Sequence, residues 1–339
     1  MSTEVKNRTC SVDILRLVCA IFVVAIHTSP FMDISEPLGS FVKYRLSTIA
    51  VPYFFAVAGF FYIQKLVRGE RVFLKYLSRI VLIYLVWSIV YYILDFVIYG
   101  HQTPVGFTVG FWLRFLYNGT YYHFWYFPAL IFAVCLSTLF FRLGLTKLLV
   151  PFGVLLYGLG CLSFSYHAIG AELPVMRDVL ALRQIEVIRE VIFMGFPLFV
   201  LGYLVYNIKT RFLERVSKKG ALILWAVFLL LWLAEMQLIK KMQWQLNFEV
   251  TLMLYPFLVF TLLLLCKFPL SGLEKTAGTC RVLANYTYYS HPLFIVCLQR
   301  ISDGALYSTP LCLLVLLICF LSGFGLYMLN NRFINTLIS

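Results

Sequence analysis

Runs of about 20 apolar residues, parted by short polar stretches, recur along the whole of this chain, and each is long enough to cross a bilayer as a helix. They fall at roughly 12–32, 46–66, 77–99, 121–142, 145–164, 187–208, 220–239, 249–267, 284–302 and 310–330. Inside lipid every backbone N–H and C=O must be bonded internally, and a helix does this within one segment. The expectation is an all-α integral membrane protein, a bundle of about ten transmembrane helices. A composition of 62% hydrophobic and 13% charged residues excludes a soluble domain. The chain reads as a single membrane domain over 1–339, with no separate soluble domain. Residues 105–119, VGFTVGFWLRFLYNG, are interrupted by Gly and Arg and read as interfacial or re-entrant.

The net charge of +13 would suit a nucleic-acid binder, but its placement points to a membrane. With the N-terminus taken as cytoplasmic, the cytoplasmic segments hold eighteen of the 28 Lys and Arg against four acids, whereas the opposite loops balance nine with nine. This asymmetry is the positive-inside pattern, and it puts both termini in the cytoplasm. The densest clusters are Lys65, Arg68, Arg71, Lys75 and Arg79, and Lys209, Arg211, Arg215, Lys218 and Lys219. They serve topology and anionic headgroups, or a bound anion. The nine cysteines contain no CxxC and read as packing residues, and no metal site is expected. The first apolar run carries Asp13 and Arg16 and lacks a small-residue cleavage site, so it reads as a retained span.

Within that first run, SVDILRLVCAIFVVAIHTSPF, stand Arg16 and His27. An Arg at the centre of a span costs roughly 2.5–3.5 kcal/mol to insert, so an ionisable group there is a functional candidate. Eleven residues are close to three helical turns, which sets both side chains on nearly one face about 16 Å apart along the axis. Asp13, three residues before Arg16, is spaced for an ion pair. The pair reads either as a snorkelling Arg with its counter-ion or as an anchor for a phosphate. His27 reads as an interfacial histidine or as a general base.

Three further stretches carry polar groups. YYHFWYFPALIF holds His123, Trp125 and Tyr126, an aromatic belt apart from the histidine, which by topology sits at the level of His27. ANYTYYSHPLFIVCL holds Asn285, Thr287, Ser290 and His291, more polarity than packing requires, and reads as cavity lining or interhelical hydrogen bonding. Pro292 in that stretch leaves an upstream carbonyl in need of a donor. AVPYFFAVAGFFYIQK carries Ala56, Ala58 and Gly59, which predict close helix packing.

Asp13-x-x-Arg16 followed by His27 resembles the opening signature of the membrane-bound acyltransferase 3 family, ten-span bacterial inner-membrane domains many of which O-acylate cell-surface sugars. VPYFFAVAGFF, HFWYFPAL, REVIFMGFPLFVLGYL and NYTYYSHPLFI resemble further family blocks in the same order. Ala58-Gly59-Phe60 stands where the family often has Ser-Gly-Phe. Within the family, VAIHTSPF, AVPYFF and YYHFWYFPA resemble the membrane domain of vancomycin-resistance serine racemases, which is linked to serine uptake.

The resemblance implies an acyl-CoA-dependent O-acyltransferase of the bacterial cytoplasmic membrane. Acyl-CoA, with acetyl-CoA the first choice, is the expected co-substrate, held by Asp13 and Arg16. His27 and His123 are the expected catalytic residues. Trp125, Tyr126, Asn285, Thr287, Ser290 and His291 are expected to line the cavity. The partners implied are the lipid bilayer, acyl-CoA and an extracytoplasmic hydroxylated acceptor such as a sugar, with no nucleic acid, and a homo-oligomer is allowed. The outer loop at about 165–186, with Glu172, Arg177, Asp178 and Arg183, is the expected recognition element. The alternative is a domain for uptake of serine or another small polar solute, and a third is a binding domain without catalysis.

Overall fold

The computed structural model describes residues 10–99, 114–182, 188–329 and 331–338, and all regular structure among them is helical. The helices are α1 (Cys10–Thr28), α2 (Glu36–Tyr44), α3 (Ala50–Val67), α4 (Phe73–Tyr99), α5 (Tyr126–Arg142), α6 (Thr146–Ser163) and α7 (His167–Ala171). They continue as α8 (Arg177–Leu182), α9 (Phe196–Arg215), α10 (Lys218–Met242), α11 (Leu254–Lys267), α12 (Glu274–Ile301), α13 (Ser308–Met328) and α14 (Arg332–Ile338). Among the described residues, seven helical segments are long and apolar enough to cross a membrane: Cys10–Thr28, Glu36–Val67, Phe73–Val97, Thr146–Ser163, Glu190–Arg215, Lys218–Met242 and Ser308–Met328. The other expected spans fall on helices of a different kind. Tyr126–Arg142 and Leu254–Lys267 are apolar but shorter, and α12 is long but carries the polar stretch around Asn285 to His291. Of the interrupted stretch at 105–119, residues Arg114–Asn118 form one π-helical turn, and 105–113 lie outside the described residues.

The residues group into two compact units. The first comprises Met1–Phe54, Asn207–Met236 and Met253–Ser339. Here α1 packs along α12, and both contact α13. Lipid tails are as apolar as the side chains, so such contacts depend on close approach and on polar atoms as well as apolar area. Both devices are present. Gly323 of α13 lies so near α12 that a Cβ on it would fall 2.7 Å from the ring of Tyr286. The Tyr53 hydroxyl at the start of α3 donates to the Val12 carbonyl (2.9 Å), and the Ser11 hydroxyl donates to Leu265 O of α11 (2.9 Å). Val24, Ile295, Leu311, Val315 and Cys319 form an apolar cluster among α1, α12 and α13.

The second unit comprises Phe55–Tyr206 and Gln237–Leu252. Its tightest crossing is α3 on α9. A Cβ on Gly59 would fall 1.9 Å from the Phe199 carbonyl oxygen, and one on Gly202 would fall 2.1 Å from the Phe60 nitrogen, so the two backbones touch as the small residues predict. Tyr62 of α3 and Thr138 of α5 share a hydroxyl hydrogen bond of 2.7 Å. The segment after α10 is bonded to the end of α6, with Leu246 N donating to Phe164 O (2.9 Å) and Ala168 N donating to Trp244 O (3.0 Å). All nine cysteines are free thiols, five of them buried, in keeping with a packing role.

Candidate active site

Contacts at both ends fix how α1 and α12 run. At one end Asp13 accepts from Arg16 of its own helix (3.3 Å) and from Arg281 of α12 (3.3 Å), one guanidinium on each carboxylate oxygen. At the other end the rings of His27 and His291 stack, with centroids 5.2 Å apart and 28° between their planes. Numbering rises from first contact to second on both helices, so they lie parallel. Each therefore carries an arginine in its N-terminal half and a histidine ten or eleven residues further on. Asp13 is 2% exposed and the Arg16 side chain 13%, so the carboxylate is held in a mostly dry setting where removal of one partner is costly. An acidic residue in the first turn of α1 also complements the helix dipole.

The histidines differ in setting. His27 is exposed, whereas His291 is fully buried. Pro292 lies inside α12 and has no N–H to give the Tyr288 carbonyl, four residues back. The ring of His291 takes its place, with Nδ1 2.9 Å from Tyr288 O and 3.0 Å from Thr287 O. The upstream carbonyl left by Pro292 thus finds its donor in the residue just before the proline.

Beyond His27 the chain turns sharply and is fastened down. Ser29 and Phe31 take left-handed φ of 55° and 67°, and Ser308, which faces them, takes 51°. Such conformations cost about 1–3 kcal/mol each in non-glycine residues and persist where surrounding bonds impose them. Those bonds are explicit. Phe31 N donates to Thr309 Oγ1 (2.7 Å), and Ser308 Oγ lies 2.7 Å from Ser29 O and 2.8 Å from Asp33 Oδ1. The Thr309 hydroxyl donates to the same carboxylate oxygen at 2.6 Å. That bond, with smaller help from Ser308, holds the Asp33 carboxyl below its ordinary value. Lys43 of α2 donates to Ser29 Oγ (2.7 Å) and lies within electrostatic reach of His27. The base candidate therefore stands beside a strained, bonded turn with a cation next to it.

The remaining expected residues have varied settings. Ser290 is buried, bonds back to Tyr286 O (2.8 Å) and lies 3.6 Å from Cys319 Sγ, in the α12–α13 contact. Thr287 is fully buried, and its hydroxyl has no hydrogen-bond partner among the described residues. Asn285 is half-buried on the same helix. His123 belongs to the second unit, 3% exposed among aromatic rings, with centroids 4.1 Å from Phe124 and 5.3 Å from Tyr91. Trp125 and Tyr126 pack on Phe55 at 6.0 and 4.5 Å. An apolar groove of about 490 Å³ in that unit is bordered by Val154, Leu155, Gly158, Leu162, Tyr166 and Leu252, and none of the expected lining residues borders it. The loop expected at about 165–186 includes α7 and α8, with Glu172 and Asp178 exposed; Arg183 and the side chain of Arg177 lie outside the described residues.

Two site residues escape a reading of the sequence. Arg281 sits in an ordinary-looking basic segment, ten residues before His291. That near-repeat of the Arg16 to His27 spacing is the signal that could have exposed it. Lys43 reads as a loop cation, and only the fold brings it to Ser29.

A family profile described as an acyltransferase domain matches residues 11–327. Two amino-acid racemases of Enterococcus faecalis are similar to the chain, one 33% identical over 181 residues (51% of this chain, 25% of that protein) and one 28% identical over 230 residues (67% and 32%). A serine/alanine racemase of Enterococcus gallinarum is 30% identical over 167 residues (46% and 23%). The alignments thus cover only about a quarter to a third of each racemase's length. No solved structure matches.

Proposed function

Because this chain belongs to the acyltransferase family whose profile spans residues 11–327, we propose that it moves an acyl group, acetyl in the first instance, from cytoplasmic acyl-CoA to a hydroxyl on the far side of the membrane. The observation that carries the reading is the division of labour along α1 and α12: guanidiniums at one end, imidazoles at the other. Along α1, eleven residues separate Arg16 from His27, about 16 Å of helix. A donor with phosphates at one end of an extended arm and a thioester at the other suits that division. Arg16, steadied by Asp13, holds phosphate oxygens, a task for which the fixed guanidinium fork is suited. Exposed His27 takes the proton from the acceptor hydroxyl as the oxygen bonds to the thioester carbonyl. The C–S bond then breaks, and the coenzyme A thiolate recovers the proton from His27. The positive-inside charge pattern supports a cytoplasmic Arg16 end and an outward His27 end. The acceptor is a hydroxylated envelope component such as a sugar.

The test is acetyl-CoA binding to the purified protein in detergent, wild type beside Arg16→Ala, followed by transfer with His27→Ala. Saturable binding weakened by Arg16→Ala, and transfer abolished by His27→Ala at normal protein level, support the reading. Full transfer by His27→Ala would remove the base. His123→Ala is the companion variant, and loss of transfer with the fold intact gives His123 the second catalytic role expected from the sequence.

The similarity to amino-acid and serine/alanine racemases favours one second reading, uptake of serine or a similar small solute through the same polar residues. It predicts serine uptake into proteoliposomes that acetyl-CoA neither drives nor blocks.

A further inference from the structure

We propose that Lys43 is a catalytic cation of the transfer, whose ammonium receives the negative charge that develops on the thioester carbonyl oxygen. The inference deepens the acyl transfer proposed above and rests on it for the arrival of a thioester beside His27. When the acceptor oxygen bonds to the carbonyl carbon and its proton passes to His27, the carbonyl π pair moves onto oxygen. The tetrahedral oxyanion reverts as the C–S bond breaks, and the leaving thiolate takes the proton back from His27. A base alone leaves that oxyanion uncompensated. A fixed donor or cation aimed at it is usually the largest single contribution to catalysis.

The strained turn after α1 places Lys43 for this task. Gly39 and Lys43 stand one turn apart on α2 and so share a face. On that face a Cβ at Gly39 would fall 2.7 Å from Met32 N, so α2 lies directly on the turn. One helical turn further on, Lys43 Nζ donates to Ser29 Oγ at 2.7 Å. Ser29 follows His27 by two residues and is held at φ 55°, with Ser308 Oγ 2.7 Å from its carbonyl oxygen. Strained non-glycine residues gather at functional sites. Here the strain fixes the hydroxyl that in turn fixes the ammonium.

The ammonium also has charge and donors to spare. It carries three N–H bonds, and Ser29 takes one. The nearby acids are engaged elsewhere: Asp33 accepts from Thr309 (2.6 Å) and Glu36 from Ser40 (3.1 Å). Among the described residues Lys43 forms no ion pair, and the Tyr44 ring lies 5.1 Å from it. A cation is tolerated there without an acid because the last turn of α2 carries the negative end of the helix dipole. Lys43 is half-buried and within electrostatic reach of His27, so its charge acts through a medium that screens less than water.

The test is release of the coenzyme A thiol from acetyl-CoA by the full chain in detergent. Water and a hydrolysate of bacterial envelope polysaccharide serve as acceptors. Lys43→Met keeps the apolar stem and loses the charge. It should lower kcat about 100- to 1,000-fold, the range for loss of one oxyanion donor, with the KM for acetyl-CoA unchanged. Lys43→Arg keeps a cation and should recover part of that loss. Unchanged kcat in Lys43→Met overturns the inference and leaves the acyl transfer standing. So does an intact kcat with a raised KM for the hydrolysate, which would make Lys43 an anchor for an anionic group of the acceptor.

Thermal midpoints separate this role from a tether for the turn. Lys43→Arg no more active than Lys43→Met at matched midpoints overturns the inference. Should Lys43→Met fail to fold, Ser29→Gly carries the test, because glycine accepts the left-handed φ and only the hydroxyl that holds the ammonium is lost. A lowered kcat at unchanged KM for acetyl-CoA supports the inference, and a wild-type kcat overturns it. A wild type that releases no thiol with either acceptor takes down the acyltransferase reading, and the role of Lys43 with it.

Discussion

Arg281 and Asp13 stand 268 residues apart in the chain and 3.3 Å apart in space. Arg16 shares the same carboxylate, so one acid links two guanidiniums across the α1–α12 interface. The arrangement makes Asp13 structural in a way a simple counter-ion is not: it joins two helices as well as two charges.

Asp13→Ala leaves two guanidiniums facing each other without the acid between them. The expected cost is about 3–5 kcal/mol, the range for breaking a buried pair by removing one partner. Thermal unfolding in detergent measures it. Adding Arg281→Ala to Asp13→Ala removes one of the stranded charges and should recover part of the loss. A double variant as unstable as the sum of its parts would count against the shared carboxylate.

The α3–α9 crossing tolerates no side chain at Gly59 or Gly202, because the atoms a Cβ would meet, at 1.9 and 2.1 Å, are backbone. Even Gly59→Ala must push the helices apart, and Gly59→Leu should abolish recovery of monodisperse protein. Gly158, whose Cβ would meet nothing within 4 Å, is the control position and should accept Ala at no cost in yield.

Asp33 gives a pH signature. Its carboxyl is held below the ordinary carboxylate value of 3.8, chiefly by the Thr309 hydroxyl. A group with a depressed folded-state pKa stabilises the fold above its unfolded pKa, and the contribution fades as pH falls through the folded value. Asp33→Asn should therefore lower the unfolding midpoint at pH 7, and the gap from the wild type should close below about pH 3.8. Parallel midpoints from pH 7 to 3 would show that the carboxylate adds nothing to the turn.

Glu235 accepts from Met253 N at 2.7 Å and is 7% exposed, so it secures the start of α11. Glu235→Ala leaves that N–H to find another acceptor in a dry setting, at a cost of about 1–3 kcal/mol. Glu235→Gln keeps an acceptor oxygen and should lose clearly less in the same unfolding measurement.

Much of the helical framework was legible because the constraint behind it is local. A run of apolar residues in lipid has to close its own hydrogen bonds, so every expected span falls on a helix. Gly59 was legible for a similar reason, since small residues in a span announce close approach. The ends of elements were less legible. The first span was expected to run to residue 32, but α1 stops at Thr28, because Ser29 and Phe31 adopt left-handed φ that their residue types do not advertise. That turn is imposed by Ser308 and Thr309, far along the chain. The site divides the same way. Arg16, His27 and the carbonyl stranded by Pro292 follow from spacing and from the chemistry of proline. The Arg281 bond to Asp13, the Lys43 bond to Ser29 and the His27–His291 stack depend on which helices meet, and only the Arg281 to His291 spacing, close to that of Arg16 to His27, hints at it in the sequence.

The parallel pairing of α1 with α12 also orders events during synthesis. At about 5–20 residues per second, the ribosome needs roughly 13–54 s to travel the 268 residues from Asp13 to Arg281. Over that interval Asp13 has Arg16 of its own helix but not Arg281, and His27 waits without the ring that will stack on it. The α1–α12 pairing is thus incomplete until α12 emerges. A transcript cut short before α12 would yield a chain in which Asp13 lacks Arg281 and His27 lacks its stacking partner, a natural substrate for quality-control proteolysis.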